Sequence, residues 1–465
     1  MRNIFKKLLA FCCLGVLAVG SVGCMQEKLS AYDIAVKNGF QGTETEWLLS
    51  LRGADGEDGE DLDAEALYQA AVKNGYTGSF LDFCTEQNIT IAPNNDTVTI
   101  AENVRSVVSI YCSYSVTKKG SGWLGSSTTT SYGSQAGSGV IVSLNKEAGN
   151  ALIITNYHVL YNAKSDQAGI LDDIWVYPYG TYNRFSAEKG DESGDGIKAT
   201  YVGGAMDYDI AILSVEGSEY IKNSAVTEAK MGNSDTVQLG EKTFVIGNPA
   251  GAGIAVTNGI VSVDSEYISM SALDDRDLNG DGYVDGVSFR VMRTSAAINS
   301  GNSGGGMFNA KGELIGIVNA KSGGSTTDNM GYALPITQVK AVYENVLANG
   351  NRVLRAMLGI TITPTASKAV VEKDGNLSII EEFSVVTPAE KGSAAYKKMN
   401  AGDVFISAKI NNGEVMVFTR EYQLAHLLLS VRKGDVVTFV MRNSNGVEET
   451  VSIPFDKNEY FVEFA

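Results

Sequence analysis

A serine that attacks a carbonyl carbon needs a base to take its proton, a carboxylate to orient that base, and fixed N–H donors for the oxygen that becomes negative. Imidazole is the side chain best suited to be the base near neutral pH. This sequence has only two histidines, His158 and His426. His158 ends an apolar run, "IITNYHVL", where a strand-end side chain can face a cleft. His426 lies on the apolar face of "EYQLAHLLLSV" and reads as a packed or groove-lining residue. Ser303 stands within "INSGNSGGGMFN" (298–309), a run of glycine turns between apolar residues. Glycine is used where the backbone must take φ > 0 or approach another group closely. The stretch is therefore either a loose surface turn or a loop that aims its amides. Asp209, in "DYDIAILSV", is the candidate carboxylate, with Asp207 the nearest rival and a plain turn cap the ordinary alternative.

Something must hold these residues together, and the sequence supplies short strands. From about residue 97, apolar runs such as "SVVSIYCSYS", "GSGVIVS", "ALIITN", "DIAILSV", "KTFVIGNP", "FRVMRTS" and "LIGIVNA" alternate with glycine and polar turns. Such spacing predicts an all-β barrel or sandwich. The high glycine and low proline counts, 51 and 7, suit the same class. A helix is predicted in "PITQVKAVYENVLANG" (335–350), and a second, smaller α+β unit follows from "RAMLGITI" onward. At 465 residues the chain has room for more than one domain. Its net charge of −17 argues against nucleic acid as a partner, since phosphate binding requires clustered Lys and Arg.

His158, Asp209 and Ser303 fall in the chain order His, Asp, Ser, the order of the chymotrypsin-like proteases. "TNYHV", "DIAIL" and "GNSGG" resemble the surroundings of that fold's three catalytic residues. "VIGNPAGAGIAVTNGIVS" (245–262), "AAINSGNSGG" (296–305) and "GELIGIVNA…GYALP" (312–335) narrow the resemblance to the HtrA (DegP-like) branch, serine proteases that carry PDZ domains. The resemblance covers about 97–460. It implies a mainly β fold: a chymotrypsin-like double β-barrel over 97–348 and a small α+β PDZ domain over 354–462. It also implies a serine endopeptidase with His158, Asp209 and Ser303 as triad, the N–H groups of Gly301 and Ser303 as oxyanion hole, and no cofactor for that step. Where the family commonly has Pro, this chain has Ser300 and Gly306, and Ser295 replaces a frequent aspartate. Ala296, Ala297 and Ile298 carry no acidic group, so a primary pocket that they line would favour Val, Ala or Leu before the cleaved bond.

In the C-terminal part, "MLGI" (357–360) resembles the PDZ loop that captures a peptide carboxylate, through Leu358, Gly359 and Ile360. Leu424 and Leu427 or Leu428 would line its side-chain pocket. The implied partners are unfolded or misfolded exported proteins, with a homotrimer as the family's common assembly. A non-catalytic peptide-binding or adhesion protein, or a dedicated processing protease, remains the alternative. A PDZ fold serving only assembly is open too.

The N-terminus, with Arg2, Lys6 and Lys7 before a short apolar run, has the layout of an export signal over 1–23. Ser21-Val22-Gly23-Cys24 resembles a bacterial lipobox, although Ser21 stands where the family prefers Leu. Cys24 is then the lipidation site and the membrane a partner. Residues 24–94 hold a repeat, "AYDIAVKNGFQG" (31–42) and "LYQAAVKNGYTG" (67–78), read as short helices around the Gly-X-Y stretch "GADGEDGED". Cys84 and Cys112 either pair or remain thiols. In "DLNGDGYVDG" (277–286), Asp277, Asn279, Asp281, the Tyr283 carbonyl and Asp285 match the early positions of an EF-hand loop. Ser288 stands where the bidentate Glu belongs, so the stretch is a weak Ca²⁺ loop or an acidic hairpin tip.

Overall fold

The computed structural model describes residues 32, 36, 37, 41, 95–122, 125–271, 273, 286–321, 330–371 and 377–464. The export signal, Cys24, Cys84, the calcium-type residues 277–285 and nearly all of the repeat cassette lie outside these. The chain divides into two compact units, Met1–Ala92 and Pro93–Ala465. In the first, Tyr32, Val36 and Lys37 are helical.

The second unit opens with a helix, α1 (Asn95–Asn103), and then builds two closed barrels. The first contains β1 (Val107–Gly122), β2 (Gly125–Asn145), β3 (Asn150–Thr155), β4 (Asp173–Pro178), β5 (Ile197–Ala205) and β6 (Ile210–Val215), in the order β1-β2-β3-β6-β5-β4. The second contains β7 (Lys242–Gly247), β8 (Ala255–Ser271), β9 (Gly286–Thr294), β10 (Gly306–Asn309), β11 (Leu314–Lys321) and β12 (Gly331–Pro335), in the order β7-β8-β9-β12-β11-β10. The strand pairs within both barrels are antiparallel. Closure leaves no row of unpaired backbone groups at an edge.

β-Branched and aliphatic residues account for the strands. β3 places Ile153 and Ile154 opposite Leu213 and Ile212 of β6, and all four are buried. Ile154 and Ile212 join Ile246, Phe308 and Leu334 of the second barrel in one core cluster, so the barrels share an apolar seam. A helix, Ile336–Ala348, covers that seam with Ile336, Val339, Val342 and Val346 at helical spacing.

β13 (Val353–Ala356) leads into the C-terminal part and pairs with β19 (Phe461–Phe464). The sheet there runs β14 (Thr361–Val371), β15 (Leu377–Thr387), β16 (Val404–Ile410), β17 (Val436–Arg442), β18 (Glu448–Pro454). The helix Tyr422–Ser430 of this part buries Leu424, Leu427 and Leu428 in a core with Phe383, Phe405 and Phe439. Leu429 turns the other way, into the cluster shared by the barrels. Asn345 Nδ2 caps both the Leu354 and Leu429 carbonyls at 2.6 Å, and Arg420 Nη1 reaches Asp264 Oδ2 on β8 at 2.6 Å. This part is therefore bolted to the second barrel.

Candidate active site

His158 does not sit on the strand itself. β3 ends at Thr155, and the chain makes one helical turn, α2 (Tyr157–Leu160), that carries the imidazole. The strand-end reading is corrected by that turn. Asp209 follows a short helical turn at Met206–Tyr208 and takes a left-handed conformation, φ 48°. That conformation costs a non-glycine residue about 1–2 kcal/mol, so neighbours must hold it. The Asp209 N–H donates to the Met206 carbonyl at 3.0 Å, and Asn156 Nδ2 donates to the Asp209 carbonyl at 2.9 Å.

The carboxylate thus faces His158 squarely. The His158 backbone N–H donates to Asp209 Oδ1 at 2.9 Å, and the ring Nδ1 lies 2.8 Å from Oδ2. An ionised carboxylate only accepts, so Nδ1 carries the hydrogen and Nε2 is left as the acceptor. Burial pulls the imidazole toward the neutral form. The charge of Asp209 and its hydrogen bond outweigh burial, and hold the pKa above the ordinary 6.5. The ring remains a quarter exposed while Asp209 is buried. The second histidine is different: burial beside the Arg290 charge pulls His426 down to about 4, and its Nε2 has no partner among the described residues. It is a packed neutral residue in the C-terminal helix.

Ser303 comes from the second barrel, in the turn before β10. That turn is stitched to β11, with Gly304 N–H donating to the Val318 carbonyl and Val318 N–H to the Gly305 carbonyl, both at 2.8 Å. Ser138 of β2 holds it from the first barrel, through its N–H to the Ser303 carbonyl at 2.8 Å and its Oγ to the Gly301 carbonyl at 2.7 Å. The Ser303 hydroxyl donates to the Asn319 carbonyl at 2.9 Å, and no hydrogen bond joins it to His158. Asn319 Nδ2 in turn donates to Asp209 Oδ2 at 2.5 Å. One asparagine therefore links the serine to the carboxylate.

Two peptide units fix where amides point. The Ser300 carbonyl accepts from Ala250 N–H at 2.6 Å, and the Asn302 carbonyl from Gly305 N–H at 2.9 Å. In a trans peptide the following N–H points the opposite way. The N–H groups of Gly301 and Ser303 are thus turned away from these anchors, and neither has an acceptor among the described residues. Gly301 has φ 96°, and a Cβ there would sit 2.2 Å from the Asn248 carbonyl oxygen. Gly304 has φ 84°, and a Cβ there would sit 2.1 Å from the Ser138 carbonyl oxygen. Only glycine permits this turn.

Ala296 and Ile298 are buried in the second barrel's core, with Ile298 against Gly331, whereas Ala297 is exposed. In the C-terminal part, Leu358 is buried, Ile360 half-buried and Gly359 exposed with φ 77°. Cys112 is a buried free thiol on β1. Reading the sequence for chemistry passed over Asn156, Ser138 and Asn319. Asn319 lies in "GIVNA", yet nothing in that string marks it as the residue that faces Asp209.

Residues 137–317 match the trypsin-like peptidase domain. The serine protease Do-like HtrA of Bacillus subtilis is 29% identical over 351 residues, covering 72% of this chain and 67% of the relative. A probable periplasmic serine endoprotease, DegP-like, of Pseudomonas savastanoi is 31% identical over 269 residues, 55% of this chain and 48% of the relative. Its Pseudomonas putida counterpart is 31% identical over 329 residues, 68% and 55%. The chain thus spans about half the length of these two DegP-like relatives. A solved HtrA-type protease, AlgW with decapeptide, is 23% identical over 77% of this chain and 96% of that one, with TM-score 0.44. Over residues 137–317 the chain thus carries a trypsin-like peptidase domain, and along more of its length it is similar to HtrA-like serine proteases.

Proposed function

We propose that this chain is an exported endopeptidase that cuts unfolded or misfolded extracytoplasmic proteins. The observation that supports it most is the 2.8 Å pairing of His158 with Asp209, tied through Asn319 to Ser303, whose own amide and that of Gly301 have no acceptor among the described residues. In the reaction, Ser303 Oγ leaves the Asn319 carbonyl by a side-chain rotation, as staggered rotamers allow. It then gives its proton to His158 Nε2 and attacks the scissile carbonyl. The Gly301 and Ser303 amides receive the oxyanion, and His158 returns the proton to the leaving amine. Water repeats the sequence to release the acyl group. One such fixed donor is worth about 3 kcal/mol in the transition state.

In this reading the acid-free stretch Ala296-Ala297-Ile298, with Ala297 exposed and the other two packed in the barrel, gives a preference for small aliphatic side chains before the bond. Leu358, Gly359 and Ile360 would hold a substrate's C-terminal carboxylate in a PDZ-type groove, where a peptide adds to the edge of β14. Export follows from the N-terminal segment and agrees with the periplasmic names of relatives, and Cys24 would anchor the chain to the membrane. Assembly as a homotrimer belongs to the same proposal. Reduced, unfolded casein should be degraded, with mapped cuts after Val, Ala or Leu. If casein stays intact at neutral pH, an exported docking protein is the better description.

Calcium is a second element of the proposal. By sequence pattern, Asp277, Asn279, Asp281, the Tyr283 carbonyl and Asp285 would offer oxygen ligands without the bidentate Glu, which suits an affinity in the extracellular, millimolar range. Casein hydrolysis should rise as calcium is added from excess chelator to millimolar levels. Equal rates at both ends would remove the ion from the account.

A further inference from the structure

Asn319 touches two members of the triad from one backbone position, and the sheet explains how. In the pairing of β11 with β12, Val318 faces Ala333 and Ala320 faces Tyr332, so the register skips Asn319. A bulge of this kind takes one residue out of the ladder and re-aims it. The freed carbonyl accepts from Ser303 Oγ at 2.9 Å, and the side chain enters the site to donate to Asp209 Oδ2 at 2.5 Å.

The amide can face only one way. Turned over, it would press Oδ1 against the Asp209 oxygen, acceptor to acceptor. In the orientation present, Asn319 Oδ1 is buried without a partner among the described residues. A buried acceptor left unpaired costs about 1–3 kcal/mol. A residue kept only for packing would shed that cost by becoming apolar.

We propose that Asn319 is a positioning residue that holds Asp209 against His158 and tempers the carboxylate's pull on the imidazole proton. This rests on the triad reading above. Asp209 Oδ2 is shared between Asn319 Nδ2 and His158 Nδ1. Among the described residues, Asp209, just before β6, is the charged group acting on His158. From the second barrel come Ser303 and Asn319, neither of them charged at neutral pH. Removing the Asn319 donor leaves the carboxylate with less of its charge satisfied, so it binds the imidazolium more strongly. The neutral, basic form of His158 then appears only at higher pH.

The test follows kcat/KM for a chromogenic peptide against pH, with fluorophosphonate labelling of the purified full chain as a second readout. Asn319→Ala and the shape-preserving Asn319→Leu should lower kcat/KM about tenfold to a hundredfold, as for loss of a charge-assisted hydrogen bond. Both should move the acid limb of the profile to higher pH. Asn319→Ser, which keeps a donor, should move it back toward wild type. If any folded variant lacking the donor loses activity with the limb unmoved, or keeps full activity, the positioning role is overturned. If wild type itself takes no fluorophosphonate at Ser303, the triad reading fails first, and that outcome is distinct from an unmoved limb.

Discussion

Ser303→Ala should lower kcat about 10⁶-fold, by analogy with removal of a serine nucleophile from a working triad. On the proposed mechanism the loss should be confined to the chemical step, because the hydroxyl would form its covalent bond only during reaction. KM should change little. The Gly301 and Ser303 amides survive the substitution, so residual catalysis of about 10³–10⁴ over water should persist. The fold should survive as well. Among the described residues the hydroxyl has a single partner, the Asn319 carbonyl, and losing such a bond costs about 1 kcal/mol. Comparing casein hydrolysis and thermal unfolding of the two proteins reads both effects. A variant that folds like wild type and retains a tenth of its rate would place the nucleophile elsewhere.

The strands that carry this site were readable because their patterns are local. Runs such as "ALIIT" and "IAILSV" are bounded by turn residues and become β3 and β6. The 335–350 pattern becomes the helix Ile336–Ala348. Long-range register was not readable. The bulge at Asn319 is set by how β11 pairs with β12, and no neighbour in sequence announces it. The same holds for the extended β1–β2 hairpin, whose Ser, Thr and Gly residues show no alternation of apolar and polar side chains yet pair from Val107 to Gly122. Ala296 and Ile298 illustrate a further limit. An apolar run reads identically whether it lines a pocket or fills a core, and here both residues pack into the second barrel. The rotamer of Ser303 is likewise invisible in sequence, since it depends on a carbonyl that only the folded sheet presents.

The order of the three residues reflects an asymmetry in the fold. His158 and Asp209 both follow strands of the first barrel, and β3 and β6, which lie next to them in the chain, pair directly. Their geometry is settled by one local ladder. Ser303 belongs to the other barrel, and its position depends on the shared apolar seam and on the Ser138 contacts across it. Changes that loosen the seam should therefore disturb Ser303 before they disturb the His–Asp pair. The carboxylate, by contrast, is the member whose removal acts through charge as well as geometry.

Asp209→Asn should lower kcat about 10⁴-fold at neutral pH, through the wrong tautomer. An amide at that place can donate to Nδ1, which moves the ring hydrogen to Nε2 and leaves nothing to accept the serine proton. The same substitution should shift the acid limb of the residual activity to lower pH. The sign follows from the wild-type balance. Burial favours the neutral ring, and the Asp209 charge and hydrogen bond overcome it to hold the pKa above 6.5. Without the charge, burial acts alone and the imidazole stays neutral further into acid. Stability carries the same linkage. A histidine whose folded pKa is raised contributes stability that is fully present below its unfolded value and lost as pH rises through the folded one. The contribution of the pair, seen as the unfolding difference between wild type and Asp209→Asn, should therefore be largest below about pH 6.5 and shrink above the raised pKa. A difference that grows with pH would mean that Asp209 does not raise the proton affinity of His158, and the charge relation at the centre of the site would be wrong.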